Sequence, residues 1–212
     1  NSQWRKTYTQ WQACFADWID NPEPQALLNS SIFFDLDGVW GEVKLADKLK
    51  TYVAQRAKGN TRFLANLARN ALNRTPPLGF FKNFVMEPDG RHGQSINLKR
   101  RGTAPLSDVI RVHALAVGSD AQNSFERLDD IIDAGILPDG KGRELSDALE
   151  YISMVRIRHQ AQDIDNAKTP DNTINPEHLS TFERRNLREA FHILDKAQQF
   201  LKYCYHAQRP LK

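Results

Sequence analysis

Cysteine is nearly missing from this 212-residue chain, which carries only Cys14 and Cys204. Both fall inside helical patterns beside aromatic residues, so they read as reduced side chains packed in or near a core, not as a disulfide. No Cys or His pair shows zinc-ligand spacing, which excludes a zinc signature built from those two residue types. Long apolar runs are missing as well. No stretch approaches the roughly 20 residues that a membrane helix needs, and no signal-peptide pattern opens the chain. Nor does one sign of charge dominate: 29 Lys and Arg stand against 26 Asp and Glu, and the net +3 is too small to imply nucleic-acid binding. No repeat with a period of roughly 20–50 residues is visible. These absences predict a cytoplasmic chain with no membrane partner and no nucleic-acid partner.

What is present is ordinary globular composition, 40% hydrophobic and 26% charged, which favours a folded core over disorder. The chain opens at Asn1 without an initiator Met and runs straight into a helix, so a cut from a longer protein is expected. Trp4, Tyr8, Trp11, Phe15 and Trp18 recur at spacings of four and three, which puts them on one helix face. Such a stripe is a packing surface, docked either on the helices that follow or on another domain. Asn21-Pro22 and Pro24 end it.

Further helical periods run from about Val43 to Lys58, Asn60 to Arg74, Ser107 to Val117, Ser124 to Ala134, Glu144 to Asp163 and Glu177 to His206. Gly118 and Gly135 stand where C-terminal glycine caps belong. Asn123 suits a helix start, and Ser180 with Glu183 suits an internal capping box. Two stretches depart from the helical period. Ser31 to Leu36 reads as one short strand. Phe81 to Met86 and Gln94 to Lys99, around Pro88-Asp89-Gly90, read as a hairpin. The expected fold is therefore mainly α: a helical bundle with a short strand near 31–36 and a small β-hairpin near 81–99.

The loudest local motif is Ile32-Phe33-Phe34-Asp35-Leu36-Asp37-Gly38-Val39. It resembles the first motif of haloacid dehalogenase-type phosphatases, in which the first Asp is a nucleophile, the second an acid/base, and both lie beside Mg²⁺. That fold needs several parallel strands after the motif, and helical periods follow instead. A phosphatase using Asp35 and Asp37 is thus the alternative reading, beside a helical interaction module that would present its aromatic first helix.

A second resemblance spans most of the chain. It rests on Ser31-Ile32-Phe33-Phe34-Asp35-Leu36 with Gly41, Phe63-Leu64 with Ala68, and Pro76-Pro77-Leu78-Gly79-Phe80-Phe81. It continues through Leu98-Lys99 with Gly102 and Pro105, Arg111 with Ala114-Leu115, and Asn123 with Arg127-Leu128. Arg156-Ile157-Arg158-His159-Gln160 and Leu179-Ser180 with Glu183 and Arg184 complete it. In their order these stretches resemble the nucleotidyltransferase substrate-binding domain. That domain closes bacterial signalling proteins which join CBS and cyclic-nucleotide-binding domains to a nucleotidyltransferase like the PII uridylyltransferases.

The resemblance implies that residues 1–30 are the terminal helix of a preceding nucleotidyltransferase domain and residues 31–212 the helical substrate-binding domain. It implies a nucleoside triphosphate as substrate, Mg²⁺ as cofactor with the catalytic domain, and a regulatory protein as acceptor. Asp35 would be the third catalytic carboxylate and a metal ligand. Lys99, Arg111, Asn123, Arg127, Arg158 and His159 would contact the substrate, the guanidinium forks suiting phosphate or carboxylate, with Lys99, Arg111 and Arg158 converging on one concave surface. Plainer roles stand beside these. Arg127 lies three residues before Asp130, a pairing distance, and His159 continues the apolar face of Ile152 and Val155. The family usually has Arg where this chain has Asp37. Nothing before Ser31 offers the Gly-Ser turn and paired carboxylates of the catalytic domain, so no nucleotide transfer by this chain alone is expected.

Overall fold

The computed structural model describes residues 2–79, 83–89 and 93–206. Among these the chain is mainly helical with one small antiparallel sheet. It divides into two compact units: Asn1–Asn70 with Ile110–Ile136 and Lys202–Lys212, and Ala71–Val109 with Leu137–Leu201. No described helix is long and apolar enough to cross a membrane.

In the first unit α1 (Tyr8–Asp20) starts at a capping box, in which Gln10 N donates to Thr7 Oγ1 at 3.3 Å and Thr7 N to Gln10 Oε1 at 2.9 Å. Its aromatic stripe turns onto its own chain. Trp4, in a 3-10 turn just before the helix, stacks on Trp11 with ring centroids 5.9 Å apart, and Trp11 stacks on Phe15 at 5.2 Å. Phe33 packs against Trp4, Trp11 and Trp18, while Phe34 meets Phe15 and Phe63. Phe15 and Phe63 are fully buried.

These contacts come with a correction. The segment expected as a strand from Ser31 to Leu36 is the end of helix α2 (Pro24–Phe33), followed by a turn. A lone strand has no neighbour to satisfy its backbone, whereas a helix satisfies its own. Pro24 at the first helical position presets φ, and the Ser30 and Ser31 hydroxyls donate back to the carbonyls of Ala26 and Leu27. The Phe33-Phe34 pair then reaches the aromatic stripe from a helix end.

Helices α3 (Lys44–Ala57) and α4 (Thr61–Ala71) follow, α3 packing on α1. Asn60 Oδ1 caps α4 by accepting from Phe63 N at 3.0 Å. The first unit also holds the later half of α5 (Ala104–Val117) and all of α6 (Ser124–Asp133). Gly118 and Gly135 end these helices at φ +83° and +65°, the left-handed geometry expected of them.

In the second unit, β1 (Glu87–Asp89), β2 (Gly93–Asn97) and β3 (Thr173–Ile174) form an antiparallel sheet in that order, with Glu87 opposite Ser95 and Ile96 opposite Ile174. A hairpin is present, but its first strand, Glu87–Asp89, lies wholly beyond the expected Phe81–Met86 segment. Residues near Phe84 pair backwards instead: Val85 N donates to Pro77 O and Gly79 N to Asn83 O, both at 2.8 Å. Phe81 and the turn at Gly90 lie outside the described residues. Strand β3 was not foreseen; its only apolar residue is Ile174, set in a polar loop.

A π-helical turn, Lys99–Thr103, leads from the sheet into α5 and packs on α7 (Lys141–Asp165). A Cβ added at Gly102 would lie 2.8 Å from Ile152 Cγ2 and 3.2 Å from Phe191 Cε1, so this approach requires glycine. The last helix, α8 (Thr181–Cys204), follows a 3-10 turn at Pro176–His178 and carries Leu187, Phe191, Leu194 and Leu201 inward. Its expected capping box is in place, with Glu183 N donating to Ser180 Oγ at 3.2 Å and Ser180 N to Glu183 Oε2 at 2.9 Å. Buried Gln198 donates through Nε2 to the carbonyls of Ala71 and Arg74, closing the end of α4.

Candidate functional site

Two groups of polar residues are candidates, one in each unit. The first is centred on Asp35, in the turn after α2. Arg111 Nη2, from α5, donates to Asp35 Oδ2, and Arg127 Nη2, from α6, donates to Asp35 Oδ1, each at 2.5 Å. Arg127 also donates through Nε to Ala121 O at 2.8 Å, and the Gln122 amide donates to Leu36 O. Arg127 is therefore spent on Asp35 and not on Asp130, which accepts from the Ser119 hydroxyl instead. The Asp35 side chain is 36% exposed while those of Arg111 and Arg127 are 11% and 6% exposed. Burial pushes the Asp35 carboxyl up, but the two guanidinium charges and their hydrogen bonds outweigh it and hold the group below its ordinary value.

This arrangement does not fit a divalent cation at Asp35. Both carboxylate oxygens face a guanidinium, and Mg²⁺ at either would be set against two fixed positive charges. As placed, the three side chains form an ion-paired clasp that ties the turn after α2 to α5 and α6. The phosphatase alternative falls with the same geometry. Asp35 follows a helix, no lysine among the described residues is paired with it, and the described sheet is antiparallel.

The second group lines a cleft of about 200 Å³ between α7, α8 and the segment that joins them. Arg158, His159 and Gln162 come from α7, Asn175 and His178 from the 3-10 turn region, and Glu183 from α8. Val155, Ile174 and Leu179 give it an apolar floor. Arg158, 44% exposed, pairs with Glu183 across the cleft. Glu183 also completes the capping box, and the Ser180 N–H, the Ser180 hydroxyl and Arg158 together hold its carboxyl below the usual range. Guanidinium, amide and imidazole donors over an apolar floor suit a ligand with one acidic group. At about 200 Å³ the cleft is smaller than the roughly 300–1,000 Å³ of sites that enclose a whole drug-sized ligand. Its size suits one phosphate or carboxylate, not a complete nucleoside triphosphate.

The residues singled out in the sequence thus distribute unevenly. Asp35, Arg111 and Arg127 meet in the first unit, and Arg158 and His159 share the cleft in the second. Asn123 is the N-cap of α6, its side chain accepting from Phe125 N at 2.8 Å. Lys99 is exposed at the start of the π-helical turn, beside Arg100 and Arg101, which both pair with Glu87. His159 is 27% exposed, and its Nε2 is enclosed without a hydrogen-bond partner among the described residues. Sequence reasoning missed Gln162, Asn175 and His178. Gln162 was readable, being one turn beyond Arg158, but Asn175 and His178 reach the cleft only because the polar loop folds back as β3 and a 3-10 turn.

The aromatic first helix, offered in the sequence as an interaction surface, has its stripe stacked on the chain's own Phe33 and Phe34. No curated protein and no solved structure matches the chain. A family model does: the one described as "Putative nucleotidyltransferase substrate binding domain" matches residues 61–205, well over half of the chain, and the chain belongs to that family.

Proposed function

We propose that this chain is the accessory, substrate-binding part of a nucleotidyltransferase-type signalling protein resembling the PII uridylyltransferases, and that its cleft between α7 and α8 anchors one anionic group of the substrate. The observation that carries this reading is Arg158. It stands over a cleft rich in donors, inside the segment that matches the substrate-binding family. Arg111 and Arg127 lie in the same segment, but both are nearly buried against Asp35, whereas Arg158, though paired with Glu183, is 44% exposed. Arg158 and, outside the cleft, Lys99 are the cations this reading assigns to the substrate.

In this reading chemistry belongs to a separate nucleotidyltransferase domain, whose closing segment is residues 1–30, in a protein that also carries CBS and cyclic-nucleotide-binding domains. That domain holds Mg²⁺ and the nucleoside triphosphate. Residues 31–212 present the nucleotide's phosphate or an acidic group of a regulatory acceptor protein. The chain supplies no Gly-Ser turn with paired carboxylates before Ser31, so it binds without transferring.

Calorimetric titration of the purified chain with UTP, ATP and pyrophosphate tests this. Binding of at least one, weakened about 10- to 100-fold in Arg158→Ala, is the expected result, because a hydrogen bond to a charged group contributes roughly 1.5–3 kcal/mol. Binding unchanged in that variant, or no binding of any of the three, would remove the cleft from the reading.

A further inference from the structure

Behind the cleft wall, His159 and Asp163 stand one turn apart on α7, the spacing that puts two side chains on one helix face. His159 Nε2 and Asp163 Oδ2 face each other at 3.7 Å, beyond hydrogen-bond distance. Both atoms are enclosed by protein and neither has a hydrogen-bond partner among the described residues. Asp163 is 6% exposed, so a carboxylate oxygen has been taken from water with no donor in return.

A third group approaches the same point. After α7 the chain reverses: Ala167 takes a left-handed φ of +55°, and Lys168 N donates to Asp163 O at 2.8 Å. This turn brings Asp171 back beside the helix, where its Oδ1 accepts from Thr173 N at 2.7 Å and from Thr173 Oγ1 at 2.6 Å. One ligand atom each from His159, Asp163 and Asp171 lie within 4.8 Å of one another.

We infer that His159, Asp163 and Asp171 form a site for a divalent transition-metal cation, Zn²⁺ by its chemistry, which staples the loop after α7 onto that helix. One imidazole nitrogen and two carboxylates form a borderline donor set that favours Zn²⁺ over Mg²⁺ or Ca²⁺. Zn–N and Zn–O bonds of about 2.0–2.2 Å place tetrahedral ligand atoms roughly 3.3–3.5 Å apart. The His159–Asp163 gap is a few tenths of an ångström wider than that, and a turn of half-buried Asp171 closes the third side. The ion would neutralise Asp163 and give both enclosed atoms a partner, leaving a fourth position for water or an anion. The site shares His159 with the lining of the cleft, but it needs neither nucleotide nor acceptor.

Titration of the chain with Zn²⁺ alone, and with Co²⁺ followed by its visible absorption, tests the site. One ion per chain is expected, together with a higher melting temperature and no displacement by a hundredfold excess of Mg²⁺. His159→Gln and Asp163→Asn should abolish that binding. Asp171→Asn, at a half-buried loop position that leaves the α7 residues intact, should weaken it at least tenfold with an unchanged far-ultraviolet circular dichroism spectrum. No binding tighter than about 1 mM, or binding that survives Asp171→Asn and His159→Gln undiminished, would overturn the proposal.

Discussion

Arg127 Nη2 donates to Asp35 Oδ1 at 2.5 Å across 92 residues of sequence, and in doing so fixes the turn after α2 to the α6 helix. Arg127 is nearly buried, whereas Asp35 keeps more than a third of its side chain in solvent. The pair therefore lies between the surface and interior cases, and removing one partner strands the guanidinium more than the carboxylate.

Asp35→Asn should accordingly destabilise the chain by about 1–2 kcal/mol, below the roughly 3–5 kcal/mol of fully buried pairs because of the exposed carboxylate. Asp37→Asn, at an exposed neighbour, should stay within about 0.5 kcal/mol. Urea unfolding of both variants checks this. The Asp35 carboxyl is held below its ordinary value when folded, so its contribution is complete above the unfolded value of about 3.9 and disappears as pH falls through the folded one. As pH falls below about 4 the wild type should lose stability more steeply than Asp35→Asn.

A second pH window belongs to His113. Burial lowers this imidazole to about 4, and its Nδ1 lies 3.0 Å from Tyr205 Oη. The unfolded histidine titrates near 6.5, so above that pH both states are neutral and stability is complete. As pH falls from about 6.5 to about 4 the unfolded chain takes up a proton that the folded chain refuses, and stability drops by on the order of 3 kcal/mol before levelling. Chemical unfolding at pH 7, 5.5 and 4 should show this slope in the wild type. His113→Gln should flatten it.

Asn123 separates a structural role from a binding one. As the N-cap of α6 it satisfies Phe125 N, so Asn123→Ala should cost about 1 kcal/mol while Asn123→Ser or Asn123→Asp restores most of it. Thermal melts of the three variants check the prediction. Loss of ligand affinity without loss of stability in Asn123→Ala would assign the residue to the substrate instead.

Gly102→Ala should destabilise by about 1–3 kcal/mol, because the new methyl would sit 2.8 Å from Ile152 Cγ2 in a closely packed interior. The double variant Gly102→Ala with Ile152→Val, which removes the Cδ1 atom that also lies close at 3.3 Å, should recover part of the loss. Urea midpoints measure both.

Most helices were legible because their signals are local: apolar spacing along α4 and α8, glycine caps at Gly118 and Gly135, and the Ser180–Glu183 box. The strand expected at Ser31–Leu36 misled because Ile32, Phe33 and Phe34 have high strand propensity, and the aromatic cluster around Trp11 and Phe15 that Phe33 and Phe34 join from a helix end is not a local signal. The partners of Asp35 were illegible for a different reason. They come from 76 and 92 residues away, and no local pattern announces a long-range ion pair. For His159 and Asp163 the helical spacing was readable, but a His–carboxylate pair falls outside the Cys and His spacings that mark a zinc signature. Asp171 joins them only through the left-handed turn at Ala167.

The central claim, that the cleft between α7 and α8 receives the substrate's anionic group, is tested most directly by mapping backbone amide shifts of the chain during titration with UTP, ATP and pyrophosphate. The account predicts saturable shifts centred on Arg158, Gln162, Asn175 and His178, lost in Arg158→Ala. Shifts confined to the surroundings of Asp35, Arg111 and Arg127, or none at saturating ligand, would contradict it.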